Sequence, residues 1–226
     1  MKSVKSYRKT SLLAGILYLL TFVSIPTLSL YKSVKESGYI VGNGPDTAAL
    51  TGGMLEIIVA LAGIGTAVVL YPVLKKQSQT MALGLVAIRI LEASVIFVGV
   101  AFILAIVSLR QSSLGPDPIM INTAFVAMYN KLFLISQSFL PAINDLLLGI
   151  LLYQSRLIPR AISSIGIVGA FPLLIGFVAM MFGVIEQGGS MAGLAALLVA
   201  LFELLVGIWL VAKGFNQKAV EALDKN

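Results

Sequence analysis

From Met81 to Leu109 the chain runs for about thirty residues with few polar side chains. At about 1.5 Å per residue such a run can cross roughly 30 Å of hydrocarbon, and it lacks the apolar–polar alternation of a barrel strand. Over that depth a helix satisfies its backbone amides without water. Yet the run contains "RILEAS", residues 89 to 94, so it carries Arg89 and Glu92 into the membrane. An isolated charge there costs about 2.5 to 3.5 kcal/mol on insertion scales. This span must therefore present both charges to protein or water rather than to lipid.

Other apolar stretches of similar length make the rest of the chain the same kind of object. With 58% hydrophobic and 12% charged residues, 226 residues cannot cover themselves with a polar surface. The expected fold is all-α, a polytopic membrane bundle of six transmembrane helices arranged as three hairpins. They lie at about 10–30, 49–74, 80–109, 123–153, 161–185 and 191–213 in a single integral membrane domain covering residues 1–226. The N-terminal segment imitates a signal peptide, but its apolar part is longer than a usual h-region and no A-x-A site follows. It reads as an uncleaved first span.

The net charge of +6 does not point to nucleic acid, because the basic residues gather at helix ends rather than along one face with interleaved aromatics. They read as topology signals. One side of the six spans carries 11 basic residues, from Lys2, Lys5, Arg8 and Lys9 through Lys75, Lys76, Arg156 and Arg160 to Lys213, Lys218 and Lys225. The other carries three, Lys32, Lys35 and Arg110. The positive-inside rule then puts both termini in the cytoplasm. Tyr71, Tyr153 and Trp209 are expected near that boundary, and Tyr31, Tyr39 and Tyr129 near the outer one. The outer loops carry turn chemistry at Gly44-Pro45-Asp46 and Gly115-Pro116-Asp117.

The absence of cysteine and histidine removes disulfides, iron–sulfur clusters, thiol catalysis, most zinc sites and Ser-His chemistry. Carboxylates alone could hold Mg²⁺ or Ca²⁺, but no D-x-x-D run appears. No metal, cofactor or catalytic residue is therefore assigned.

Small residues set the expected packing. Gly169, Pro172, Gly176, Ala179 and Gly183 recur at 3-4-3-4 spacing and predict a seam along the fifth helix that meets another helix closely. Each even helix also carries an acid with a small residue four positions on: Glu56 and Ala60, Asp145 and Gly149, Glu203 and Gly207.

The buried polar residues are the candidate site. Counting about 1.5 Å per residue from the basic ends puts Arg89, Glu92, Asp145 and Glu203 near one level at mid-depth. Glu56 and Lys131 lie further out, within reach of pairing there. Asn130, Gln137 and Asn144 recur every seven residues and predict a polar stripe, with Pro141 able to kink or open the helix. The candidate ligand or proton-binding set is thus Arg89, Glu92, Asp145, Glu203, Asn144, Gln137 and Glu56. Three midplane acids face one arginine, so a carboxyl there must be protonated, share a proton or meet an ion or ligand cation.

The segments "GGMLEIIVALAGIGTAVVLYPVLKK", "LGLVAIRILEA", "LLLGILLYQSRLIPR" and "ELLVGIWLVAKGF" together resemble the domain-of-unknown-function 4386 family of small bacterial six-span membrane proteins. The resemblance covers essentially the whole chain. It implies an integral protein of a bacterial cytoplasmic membrane and carries over no activity or catalytic residue.

Three functions compete. The first is a binding or transport protein with a midplane site for a small cationic or amphipathic ligand or protons. The second is a non-catalytic accessory protein whose charge network only orders the bundle. An intramembrane enzyme ranks last, for want of a diphosphate-metal motif, nucleophile elbow or histidine. The expected partners are membrane lipids and a homodimer mate or membrane partner protein, with no nucleic acid.

Overall fold

A computed structural model of the protein describes residues 4–112 and 117–225. Among the described residues it is all-helical, with six segments long and apolar enough to cross a membrane: Tyr7–Leu30, Thr47–Leu74, Gln79–Gln111, Pro118–Ser155, Arg160–Met181 and Ser190–Ala212. The helices are α1 (Val4–Leu20), α2 (Thr27–Leu30), α3 (Thr47–Leu74), α4 (Gln79–Gln111), α5 (Pro118–Leu134), α6 (Leu140–Ser155), α7 (Arg160–Met181), α8 (Ser190–Ala212) and α9 (Gln217–Lys225). Large apolar side chains point outward along the spans, including Ile175 at 69% and Val68 at 52% exposure. Lipid, not water, is the solvent for that belt. The chain is a multi-pass membrane protein.

Local chemistry sets the helix ends. Ser78 and Asp117 cap α4 and α5 by accepting from the amides of Met81 (3.4 Å) and Met120 (3.1 Å), and Pro118 supplies the preset φ of a first turn. The second outer turn falls partly on Gly115 and Pro116, which lie outside the described residues. Span four is interrupted by a π turn at Ile135–Phe139, where the amide of Leu140 bonds back to Ile135. Pro141 has no amide to donate, and it sits just after that wide turn, at the start of α6.

The spans close into a ring in chain order: α1 packs on α3, α3 on α4, α4 on α5 and α6, α6 on α7, α7 on α8, and α8 on α1. At the closing contact a Cβ on Gly15 would stand 2.8 Å from the Gly207 carbonyl oxygen, so the two backbones all but touch. Arg8 reinforces this seam by donating to the carbonyls of Leu210 (3.1 Å) and Val211 (2.6 Å) in the last turn of α8. A cation there satisfies orphan carbonyls and opposes the helix dipole.

Apolar clusters fill the two ends of the ring. On the termini side Leu70, Leu74, Leu85, Leu148, Leu151 and Leu210 pack together, and Ala219, Val220 and Leu223 of α9 cover them. The short C-terminal helix α9 follows the six spans expected from hydropathy. It is fastened by Tyr7, which donates to Asp224 (2.6 Å), and by Lys76, which pairs with Asp224 and donates to Tyr7 (2.6 Å). The Lys76 bond holds the exposed Asp224 carboxyl below its usual range, and Asp224 in turn raises Lys76. On the far side, Tyr31, Val34, Ile103, Ile106 and Tyr129 form a second cluster under the 31–46 loop. Asp46 ties that loop to the end of α4 by accepting from Tyr39 (2.6 Å), Gln111 (2.7 Å) and Arg110 (2.6 Å). Those hydrogen bonds, the one from Tyr39 foremost, lower its pKa.

The seam of α7 is shorter than its spacing predicts. A Cβ on Gly169 would lie 2.7 Å from Leu198 Cβ and 3.1 Å from the Leu198 backbone carbon, and one on Gly176 would lie 2.7 Å from Ala195 Cβ. Gly183, however, has open space around it and a φ of 72°, because α7 ends at Met181 rather than near 185. It serves the helix as a stop: the Val184 amide reaches back to the Ala179 carbonyl (2.8 Å), a closure that needs a left-handed residue just before it. We expect Gly169→Ala to lower the unfolding midpoint in detergent, because backbone atoms of α8 cannot move aside for the methyl group. Gly84→Ala, which would meet only Leu147 Cδ1 at 3.8 Å, should be neutral or stabilising. Equal effects at the two positions would remove the seam as a determinant of packing.

Candidate functional site

Between the two apolar clusters lies a charged layer built on Arg89. In α4 the spacing of three residues puts Arg89 and Glu92 on one face, and Arg89 Nη1 donates to Glu92 Oε2 (3.0 Å) and Oε1 (3.3 Å). Its Nη2 donates across the ring to Glu203 Oε1 of α8 at 2.7 Å, and stands 4.0 Å from Asp145 Oδ1 of α6. Asn144 of α6 donates to Glu92. The guanidinium carbon lies 5.8 Å from the ring centre of Tyr18 in α1. Side chains of four spans thus converge on one cation.

These groups differ in access. The side chain of Asp145 is 0% exposed and Arg89 4%, whereas Glu92 and Glu203 retain 10% and 16%. The exposed edges of Arg89, Glu92 and Glu203 belong to a cavity of about 180 Å³ that rises toward the far side of the ring, past Ala60 and Ala200 to Thr21. Asp145 does not reach it. Both Asp145 oxygens, Arg89 Nε and Asn144 Oδ1 are buried without a hydrogen-bond partner among the described residues. Asp145 keeps the ionic contact to Arg89 at 4.0 Å, a loose match for a carboxyl at this depth. If Glu92, Glu203 and Asp145 were all ionised, one guanidinium would face three negative charges, which protons or a cation must offset. Among the described residues no three acids cluster tightly enough to hold a metal ion.

Five of the seven residues expected from sequence meet here: Arg89, Glu92, Asn144, Asp145 and Glu203. Gln137 stands apart from the charges and lines the cavity from the π turn. The stripe expected at Asn130, Gln137 and Asn144 is broken, because the π turn places an extra residue between its members and rotates one half of the span against the other. Asn130 is linked instead through its carbonyl, which accepts from Gln187 (2.8 Å).

Glu56 forms a separate centre, about 10 Å further along α3 at 1.5 Å per residue, counted from Gly63, whose Cα faces Arg89. Its carboxylate accepts from Tyr129 (2.7 Å) and Tyr31 (3.2 Å), whose rings meet edge to face at 5.3 Å. The expected pairing with Lys131 is absent: Lys131 is exposed, and the nearby cation is Lys35, 4.5 Å from the Tyr129 ring centre. Tyr31 and Tyr129 are correspondingly not interfacial anchors but buried donors, 1% and 2% exposed. Tyr18 is the residue sequence reasoning missed. A phenol in the middle of a span, far from either headgroup region, was the available signal.

If the Arg89 layer is coupled as its distances indicate, Arg89→Ala should cost roughly 3 to 5 kcal/mol of stability by stranding buried acids. Adding Glu203→Gln to it should recover part of that loss. Chemical unfolding of the two single variants and the double variant in detergent measures this, and strict additivity would mean that the 2.7 Å contact carries no coupling.

No curated protein and no solved structure matches the chain. The family described as domain of unknown function (DUF4386) matches residues 13–214, a stretch that holds all six spans but for the first residues of α1 and every residue of the charged layer. The chain therefore belongs to the DUF4386 family of integral membrane proteins.

Proposed function

We propose that the protein binds, and in binding or transporting exchanges, a small cationic or amphipathic ligand or protons at the Arg89 layer. The observation that supports this best is the cavity floor, where two carboxylates and a guanidinium lie open to about 180 Å³ of space inside the bundle. Space of that size accommodates a single-ring molecule or a few waters, since an engineered cavity of about 150 Å³ holds benzene. Two acids against one arginine leave the floor favouring positive charge. A cation arriving at Glu203 competes with Arg89 for the same oxygen, and Asp145, 4.0 Å away with both oxygens unpartnered, is the seat that receives the displaced guanidinium. Binding on the cavity side is thereby linked to the sealed side of the layer.

Ethylammonium serves as the probe. It should raise the unfolding midpoint of the wild-type protein saturably, and the rise should vanish in Glu203→Gln and in Ala200→Phe, which fills the cavity without touching a charge. An identical response in wild type and Ala200→Phe would exclude the cavity as the binding site.

A second reading has its own support. Arg89 already bonds Glu92 and Glu203 and stands 4.0 Å from Asp145, and Glu92 is matched again by Asn144. Pairing this dense suits a network that only orders helices in an accessory protein acting through a homodimer mate or membrane partner. Neither reading requires enzymatic chemistry.

The proposed location is a bacterial cytoplasmic membrane with both termini in the cytoplasm, resting on the 11 to 3 basic asymmetry. Reporter fusions should place residues 31–45 and 186–190 outside, and a cytoplasmic signal from either would reverse the orientation.

A further inference from the structure

On the termini side, away from the Arg89 layer, a groove of about 540 Å³ runs between the α6–α7 connection and the end of α8. Its charged residues are Arg156, Arg160 and Lys213, and no acid lines it. All three are exposed, and among the described residues neither Arg156 nor Lys213 has an ion-pair partner. Arg160 is held in place by stacking, its guanidinium 4.7 Å from the Tyr153 ring centre and its Nε donating to the Tyr153 carbonyl (3.3 Å). Beneath the cations the wall is apolar, formed by Leu157, Ile158 and Trp209. Trp209 stands one turn before Lys213, at the end of a span, where indole rings favour the boundary between hydrocarbon and headgroups.

Arg156 adds an independent sign. It ends α6 with φ 56°, the one positive φ at a non-glycine position among the described residues. Glycine is the unstrained residue for such a helix stop, and Gly183 and Gly214 fill the equivalent role after α7 and α8. At this stop the chain carries an exposed arginine instead. The α7 helix also begins at Arg160, so the positive end of a 22-residue helix opens on the same groove.

We infer that this groove binds the phosphate headgroup of an acidic phospholipid, with Arg156, Arg160 and Lys213 around the phosphodiester and the half-buried Trp209 against the first acyl carbons. Three cations without an acid match an anion, and the apolar wall continuous with a lipid-facing span distinguishes a lipid from a soluble phosphate. The inference is independent of what enters the central cavity.

The test uses the full chain in nanodiscs of phosphatidylcholine alone or with phosphatidylglycerol, read as the unfolding midpoint. Phosphatidylglycerol should raise the wild-type midpoint, and added salt should shrink the increment. Arg156→Gly is the informative variant, because it relieves the left-handed strain. In phosphatidylcholine it should melt at or above the wild-type temperature while losing most of the phosphatidylglycerol increment. Lys213→Gln should lose the increment in the same way. Retention of the increment in both variants would overturn the proposal. So would an Arg156→Gly midpoint lowered equally in both lipids, which is the mark of a structural arginine. Inorganic phosphate added to phosphatidylcholine discs should have no effect, and an equal rise there would assign the groove to a soluble anion instead.

Discussion

A guanidinium at mid-depth in a membrane is the constraint on which this structure turns. Arginine does not shed its proton under any ordinary condition, so burying Arg89 obliges the chain to bring acids to it from wherever they lie in sequence. Glu92 comes from the same helix, but Glu203 and Asp145 come from spans 114 and 56 residues further on. The closed ring is the geometry that delivers them. With α8 folded back onto α1, the acids of α6 and α8 face inward at the level of α4, and the apolar clusters at either end keep bulk water from reaching them freely. Small residues make the geometry attainable, since side chains at Gly15 or Gly169 would hold α8 away from its neighbours.

The two polar centres illustrate opposite ways of keeping a carboxylate inside hydrocarbon. Glu56 is matched by two phenol donors and a cation over one of their rings, which leaves little unmet. The Arg89 layer is rich in charge yet unevenly satisfied, with Asp145 held only at 4.0 Å and without a hydrogen bond while Glu203 is tightly held. A network that served only to fasten helices would be expected to resemble the first. The contrast favours the binding proposal over a network that is purely structural.

Much of this was legible from residue order because hydropathy reports span length directly, and because a buried arginine must be paired. What could not be read was rotation about each helix axis. These spans are apolar on nearly every side, so no stripe distinguishes the face that meets protein from the face that meets lipid. Tyr31 and Tyr129 were accordingly placed at the interface by position alone, although they turn inward to Glu56. The seam at Gly169 and Gly176 was visible, whereas Gly183 was not separable from it, since a spacing of three or four does not announce where a helix stops. The α9 helix escaped for a different reason. Its nine residues do put Ala219, Val220 and Leu223 on one face, but the hydropathy that marks the spans passes over so short and polar a segment.

Residues Ile135–Phe139 hold one residue more than an α-helical turn would, and Pro141 just beyond supplies no amide to pull the backbone back into the tighter pattern. One extra residue in the turn offsets the helix faces above and below it by about 100°, the angle between successive residues on a helix. Gln137 lies inside the turn and on the cavity wall. Span four therefore carries two separately set faces, and the residue at the break, Gln137, reaches a cavity wall that an unbroken helix would assign to a different side chain.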